Sequence, residues 1–573
     1  MLRDRLHRPV PDVLVAVAVA AITLLVFLPA LWGGWVLFDD DRNFLDNTAY
    51  RGLGPSQVRW MLTGAIMGHW TPLTWLTHSV DYVVWGMNPL GYHLGNVLLH
   101  AANAALVYAL ALHLLGAAMP VAAVIARRVG AAAATLAWAL HPLRAESVAW
   151  ITERRDVLAG FFGLLAVLAY LRFTAATDRR RTWYVASLGL FALGLLSKSM
   201  LVSLPVVLLV LDVYPLRRVP PPAWRSADAR ALVVEKVPFL LLSLASVVVT
   251  STTMVRTVRL TSLALYPLSA RLAMAAYGLV FYPWKTVAPL DLMPIYELPA
   301  SVSLLDTRFL APVVLVIGAS AALILARRRW PAGLAAGLAY GVLLAPVAGL
   351  VHAGPQLVAD RFSYLPSLAL ALLLGAGVTA VMRQPRLAPA VLAAVSVWIV
   401  SMAALTWAQV QTWRDTDTLF GYAIEVDPDC AWCHAQYGAV LGLRGDFVRA
   451  IPLLERAAAL RPQRGGDQAQ AGLALLKAGR ATDAVPYLHR AVAIQPANLD
   501  AVTNLGLALV EIGEAADALS YLERAASARP AATAPRVGLV RTYRALGRPA
   551  AAAAELAVLR RLDPALANSL RKP

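Results

Sequence analysis

What most constrains this chain is the return, again and again, of apolar runs about as long as a bilayer is thick. The first, Val13 to Trp32, carries no charged residue over 20 positions, which as a helix is enough to cross hydrocarbon. It is too long for a signal h-region and lacks a small-residue cleavage site, so it reads as a retained anchor. Further runs lie at about 94–116, 129–147, 155–173, 183–197, 200–215, 237–253, 309–326, 333–351, 367–382 and 388–408, making eleven candidate spans. A backbone inside a bilayer must satisfy its own hydrogen bonds, so these runs predict helices and an all-α, polytopic bundle. Composition agrees: 59% of residues are hydrophobic and 15% charged, with a mean hydropathy of +0.61. That balance excludes the ordinary soluble classes.

The net charge of +17 comes mostly from arginines clustered in short loops, a topological signal rather than a nucleic-acid-binding one. Arg3, Arg5 and Arg8 place the N-terminus in the cytoplasm. Following eleven crossings, Arg127 and Arg128, Arg179 to Arg181, Arg217, Arg218, Arg225, Arg230 and Lys236, Arg327 to Arg329, and Arg383 and Arg386 all fall on that same side. A crossing at 271–287 would invert every later loop, so that stretch is expected to be re-entrant or interfacial. An odd number of crossings leaves everything after residue 408 extracytoplasmic. The expected domains are therefore 1–408, in the membrane, and 409–573, outside it.

The tail repeats itself. Pro428, Pro462, Pro496, Pro530 and Pro564 stand 34 apart, as do Gly445, Gly479, Gly513 and Gly547, and Ala450, Ala484, Ala518 and Ala552. Glycine between two helical halves, alanine at a close crossing and proline ending each unit form the tetratricopeptide pattern. About four units fill 430–565 behind a partial helix at 416–426, predicting a solenoid with a groove for an extended peptide or partner helix.

The chemistry gathers where the zigzag turns outward. VLFDDDRNFLDN follows the first run, and three adjacent aspartates beside anionic headgroups call for a reason. The loop 33–93 is tryptophan-rich and amphipathic, suited to lying along the surface. On the same face come His93, HPLRAESVAW (141–150), ERRD (153–156), Lys198 and ADRFSYLP (359–366). Ionisable groups of both signs at membrane depth mark function by default. Arginine or lysine can stabilise a leaving phosphate, and a carboxylate can accept the proton of an attacking hydroxyl.

Taken in order, FDDDRNFLDN, HWTPLTWLTHSVDYVVWGMNPLGYHLGNVLLH, HPLRAESVAWITERRDVLAGFF, SKSMLVSLPVVLLVLDVYP and ADRFSYLP, followed by the repeats, resemble the transmembrane and tetratricopeptide-repeat O-mannosyltransferases. The chain looks like a bacterial relative, and the resemblance covers essentially its whole length. It implies a C-type glycosyltransferase fold, a polyprenyl-phosphate sugar as donor, and no metal or other cofactor. It implies a bacterial inner-membrane location with periplasmic repeats. The family's acidic pair falls on Asp39 and Asp40, with Asn47 as the accompanying asparagine, so the resemblance makes Asp39 the base and Asp40 its partner. Arg155 would hold the lipid phosphate, with Arg361 and Lys198. Asp41, His93, His141, Glu146, Arg154, Asp156, Asp360 and Tyr364 would support the site. Thr71 stands where relatives often carry histidine or arginine, and Ser199 where proline is common. Mannose is implied by the eukaryotic branch, and an extracytoplasmic protein bound by the repeats is the implied acceptor.

Plainer readings stand beside these. Asp39 to Asp41 could be a solvated helix exit, although a cap needs only one aspartate. Arg154 and Arg155 could snorkel to the interface, Lys198 could pair with a carboxylate, Asp360 and Arg361 could fix their own loop, and His93 and His100 could be packing histidines. Cys430-Ala-Trp-Cys433-His434 has the spacing of c-type haem attachment, but lies in a repeat helix that haem would break; a disulfide or buried thiols are the other readings. A membrane-anchored scaffold for envelope or polysaccharide assembly, or a transferase acting on a glycan or lipid, are the alternative functions.

Overall fold

The computed structural model describes residues 12–218, 227–257, 265–350 and 354–570; Arg3, Arg5, Arg8 and Arg225 lie outside them. Two compact units emerge, Met1–Leu419 and Phe420–Pro573. The expected division at 408/409 falls inside the helix Ala388–Thr412. Leu419 belongs to the first unit's hydrophobic core.

Every one of the eleven apolar stretches contains a helix in the first unit. Among the described residues six helices are long and apolar enough to cross a membrane: Asp12–Trp32, Pro89–Ala118, Ile151–Ala175, Ala229–Val255, Thr307–Ala326 and Ala388–Thr412. Ser199–Val213, Pro331–Val347 and Leu368–Val381 are shorter apolar helices. Of the remaining two, Val124–Ala139 has 16 residues and carries Arg127 and Arg128 near its start, and Arg180–Ser197 begins with Arg180 and Arg181. The stretch 271–287 lies in one continuous helix, Leu268–Val287. Its Arg271 donates to the carbonyls of Tyr266 and Leu350 at 3.1 and 2.8 Å.

Local sequence sets the helix starts. Pro89 and Pro331 sit in the first turn, where a missing N–H removes nothing and the fixed φ favours the helix. Asn88 caps the long helix Pro89–Ala118 by accepting from Leu90 N. The core beneath gathers Phe27, Trp138, Trp150, Tyr170, Tyr364 and Trp413.

The helix Arg154–Ala175 is the spine on which the two ends can be compared. Near its C-terminal end, Tyr170 donates to Asp212, which pairs with Arg218 at 3.1 Å and Lys236 at 2.6 Å. Arg180 and Arg218 reach Glu235 at 3.3 and 2.8 Å. The segments bearing Arg180, Arg218 and Lys236 thus meet at one end, while residues 153–156 begin the other, about 22 Å away at 1.5 Å per residue.

The second unit pairs helices Ala431–Leu443 with Phe447–Leu460, Gly465–Lys477 with Ala481–Ile494, Leu499–Glu511 with Ala515–Ala528, and Thr533–Ala545 with Pro549–Leu562, then ends in Pro564–Ser569. The 34-residue glycines have a common cause: Gly445, Gly479, Gly513 and Gly547 take φ of 80, 76, 89 and 67° between the helices of each pair, left-handed values that side chains disfavour. Ala450, Ala484 and Ala518 are completely buried where the pairs cross. Cys430 and Cys433 are joined in a disulfide, so neither is a free thiol, and His434 Nε2 contacts Pro428 O at 3.0 Å.

Candidate active site

The acid triplet lies in a short, irregular segment rather than on a free helix end. Gly34 N donates to Arg414 O at 2.7 Å and Leu37 N to Thr416 Oγ1 at 2.9 Å, tying the segment to the end of the last apolar helix. Within it the three aspartates separate. Asp40 is fully buried and accepts from Val36 N at 2.9 Å, Trp150 Nε1 at 3.1 Å and Thr152 Oγ1 at 2.7 Å. Burial pushes its carboxyl up to about 7 against those three donors. Asp40 is therefore an anchor that folds the loop onto residues 150–152.

Asp39 points elsewhere. It is half-buried, and its carboxylate has no hydrogen-bond partner among the described residues. Burial raises it to about 6, opposed by the pull of Arg155 and then Arg361. A carboxylate near neutrality, open and without a donor, is the condition a general base needs. Asp41 is also half-buried and adds negative charge beside Asp39. Asn47 caps its own loop: its Nδ2 donates to Asn43 O at 3.1 Å and its Oδ1 accepts from Ala49 N at 3.0 Å. The asparagine that reaches the buried acid is Asn43, through Thr152 Oγ1 at 3.1 Å.

Arg155 and Arg361, whose charges act on Asp39, belong to a cluster of three cations backed by three acids. Its hub is Glu153, which has no exposed side-chain surface and holds Arg155 Nη2 at 2.6 Å, Lys198 Nζ at 2.8 Å and Arg361 Nε at 3.5 Å. Lys198 also reaches Asp156 at 2.6 Å, and Asp156 accepts from Ser147 Oγ at 3.2 Å. Arg361 pairs with Glu146 through both its side chain and its backbone N–H, the latter at 2.8 Å. The cations each keep 12 or 13% of their side chains exposed, whereas the acids keep 0 to 2%. Positive groups thus face outward over a buried negative floor. Such an arrangement neutralises the cations at rest while leaving their N–H groups available to an anion.

The supporting residues divide. Arg154, beside Arg155 in sequence, turns the other way: it donates to Asn96 Oδ1 at 2.7 Å and Tyr92 O at 2.5 Å and pairs with Asp81. His93 is buried and lies 3.3 Å from Gly34 O, steadying the acid loop. His141 spends both ring nitrogens, one near Thr286 O at 3.0 Å and one accepting from Leu143 N at 3.2 Å. Tyr364 is bound by His100 and Asn103, each at 2.9 Å. Asp360 accepts from Tyr296 at 2.9 Å, just after the antiparallel pairing of Tyr296–Glu297 with Gln356–Val358. None of these side chains bonds Arg155, Lys198 or Arg361 among the described residues.

Three participants were not singled out from the sequence. Glu153 stood inside ERRD, where nothing distinguishes it from its neighbours. Asp81, the partner of Arg154, is 73 residues away from it. His69 closes a tight turn, bridged to Ile66, in which Met67 and Gly68 both take positive φ of 51 and 81°. It lines a small cleft with Asn43, Thr71, Thr152 and Arg155. Burial, then the charges of Arg155 and Lys198, push its imidazole down to about 3, so the ring stays neutral.

A family profile described as "Tetratricopeptide repeat" matches residues 509–571. The fruit-fly "Protein O-mannosyl-transferase Tmtc1" (Drosophila melanogaster) is 34% identical over 161 residues, 27% of this chain and 18% of that protein. "Protein O-mannosyl-transferase Tmtc2" from the same organism is 31% identical over 226 residues, 37% and 23% of the two chains. The human "Protein O-mannosyl-transferase TMTC2" (Homo sapiens) is 34% identical over 151 residues, 26% and 17%. The chain is a relative of these proteins. Its match spans about a fifth of the length of the curated relatives. The relationship accords with an all-α membrane bundle followed by a repeat solenoid.

Proposed function

We propose that this chain is a membrane glycosyltransferase that moves a sugar, mannose by analogy with its relatives' names, from a polyprenyl phosphate to a serine or threonine hydroxyl of a protein. One observation carries the reading: an unpartnered carboxylate held near neutrality, Asp39, under the influence of cations that are neutralised only from behind.

In the proposed reaction the donor phosphate rests against Arg155, Lys198 and Arg361. The acceptor oxygen attacks the anomeric carbon as its proton passes to Asp39. The new carbon–oxygen bond forms while the bond from the anomeric carbon to the phosphate oxygen breaks, in one displacement that inverts configuration. The electron pair leaves on the polyprenyl phosphate, whose growing charge the three cations offset. Asp40 and Glu153 act by position, one fixing the loop that bears Asp39 and the other fixing the cations. No metal or other cofactor enters the proposal. The repeats would hold the protein acceptor, an extended groove adding avidity to weak recognition at the reacting hydroxyl. We place the enzyme in a bacterial inner membrane with the repeats outside the cytoplasm.

The test is transfer by the purified full chain in nanodiscs, given labelled polyprenyl-phosphate mannose and a pool of serine- and threonine-containing peptides. Labelled peptide from the parent, with a loss of about 100- to 10,000-fold in Asp39→Asn and an unchanged fold, supports the reading. No transfer by the parent across several sugars would leave a scaffold. Transfer to a glycan or lipid but not to peptide would favour the other acceptor class.

A further inference from the structure

A second cavity, of about 360 Å³, lies between the helices Val124–Ala139, Leu368–Val381 and Ala388–Thr412. Its wall is nearly all apolar, from Ala137 and Trp138 to Leu374, Ala394, Val395 and Trp398. The helix that supplies the last three leaves most of its apolar surface uncovered by protein, so the cavity opens toward lipid. Its polar lining residues are His141, Arg144, Thr286 and Ser367, of which Arg144 carries a permanent charge.

Arg144 is 1% exposed. Its Nη2 donates to Ser363 Oγ at 2.5 Å, while Nε and Nη1 have no acceptor among the described residues. No carboxylate lies within 4.0 Å of it among those residues. The rings of Trp138 and Tyr364, 6.0 and 5.5 Å from the guanidinium carbon, supply part of its stabilisation. A guanidinium does not deprotonate in a protein, and a buried charge without a partner is costly. The two unpaired, buried donors call for an anion.

We propose that this cavity binds one membrane lipid of net charge −1, a phosphodiester such as a phosphatidylglycerol, with its phosphate on Arg144 and one chain along the groove. Charge and the number of cations decide among lipids. The donor of the proposed reaction is likewise a singly charged phosphodiester, but it and the monoester it releases, with up to two charges, find three cations at Glu153 and only one here. A zwitterionic lipid would bring its ammonium close to the guanidinium in a low-dielectric setting. A singly charged phosphodiester matches one guanidinium without leaving excess charge.

The full chain, delipidated in mild detergent, is tested by native mass spectrometry against phosphatidylglycerol, phosphatidylcholine and polyprenyl-phosphate mannose. One phosphatidylglycerol is expected to be retained at least tenfold over phosphatidylcholine. Arg144→Gln should reduce that ratio to near one. Ala394→Trp fills the groove with Arg144 intact and should remove retention altogether, which keeps the test open if Arg144→Gln fails to fold. Equal retention of both phospholipids, or retention of phosphatidylglycerol unchanged in Ala394→Trp, would overturn the proposal. So would displacement of phosphatidylglycerol by polyprenyl-phosphate mannose with the same sensitivity to Arg144, which would assign the groove to the sugar donor.

Discussion

Replacing Asp39 by asparagine should make the protein more stable as it destroys activity. The carboxyl is raised from 3.8 to about 6, a shift of about 2 units, and at 1.36 kcal/mol per unit the folded state disfavours the ionised form by about 3 kcal/mol. The sign follows from proton binding. The folded pKa lies above the unfolded one, so the folded state binds the extra proton between about pH 4 and pH 6. Stability is lost as pH rises through that window, and the full penalty applies above about pH 6. Asparagine cannot ionise and escapes it. In thermal unfolding of the nanodisc-embedded chain at pH 8, Asp39→Asn should melt higher than the parent, and the gap should close toward pH 4. Because Asp39 is partly open to solvent, the gain should fall somewhat short of the full figure. A plain capping aspartate would behave oppositely, losing about 1 kcal/mol on replacement. A lower melting point at pH 8, or a gain that persists unchanged to pH 4, would refute the reasoning.

Other outcomes follow from the same geometry. The parent's kcat/KM should fall about tenfold per pH unit below about pH 6, as Asp39 takes up its proton; a profile flat to pH 4 would count against Asp39 as base. Glu153→Gln strips the shared acid from three cations and should destabilise the membrane unit by about 3–5 kcal/mol, read as a lower melting point with little change in the repeats. Asp40→Ala leaves the donors of Val36, Trp150 and Thr152 unmet. It should lose about 1–3 kcal/mol and lower kcat more than it raises KM, because the loop carrying Asp39 loosens. Gly479→Val forces a β-branched residue to a φ of 76° and should weaken the repeats by at least about 1 kcal/mol, visible as faster proteolysis within 465–494 while the membrane unit resists as before.

How far these features could be read from the sequence depends on the range of the interaction behind them. The repeats were legible because each unit obeys a local rule at the same position: a left-handed glycine, a buried alanine, a proline past the helix end. The helices were legible because apolar length needs no partner; six of the eleven stretches hold helices long and apolar enough to cross a membrane, and the other five hold shorter or more charged ones. Within the site, residue type and place along the chain put the aspartates, Arg155, Lys198 and Arg361 on one face, and the resemblance singled out Asp39 and Arg155 among them. The division of labour could not be read that way. Asp39 and Asp40 are neighbours of identical chemistry, and only the positions of Trp150 and Thr152, 110 and 112 residues on, make one an anchor and leave the other open. Arg154 and Arg155 part for the same reason, as Asp81 claims the first and Glu153 the second.

The most direct test of the central claim is a high-resolution structure of the full chain in a bilayer with polyprenyl phosphate bound. The phosphorus is expected within hydrogen-bonding reach of Arg155, Lys198 and Arg361, with Asp39 across an open space of about one sugar ring. A phosphate seated elsewhere, or an Asp39 walled off from it, would contradict the transferase assignment.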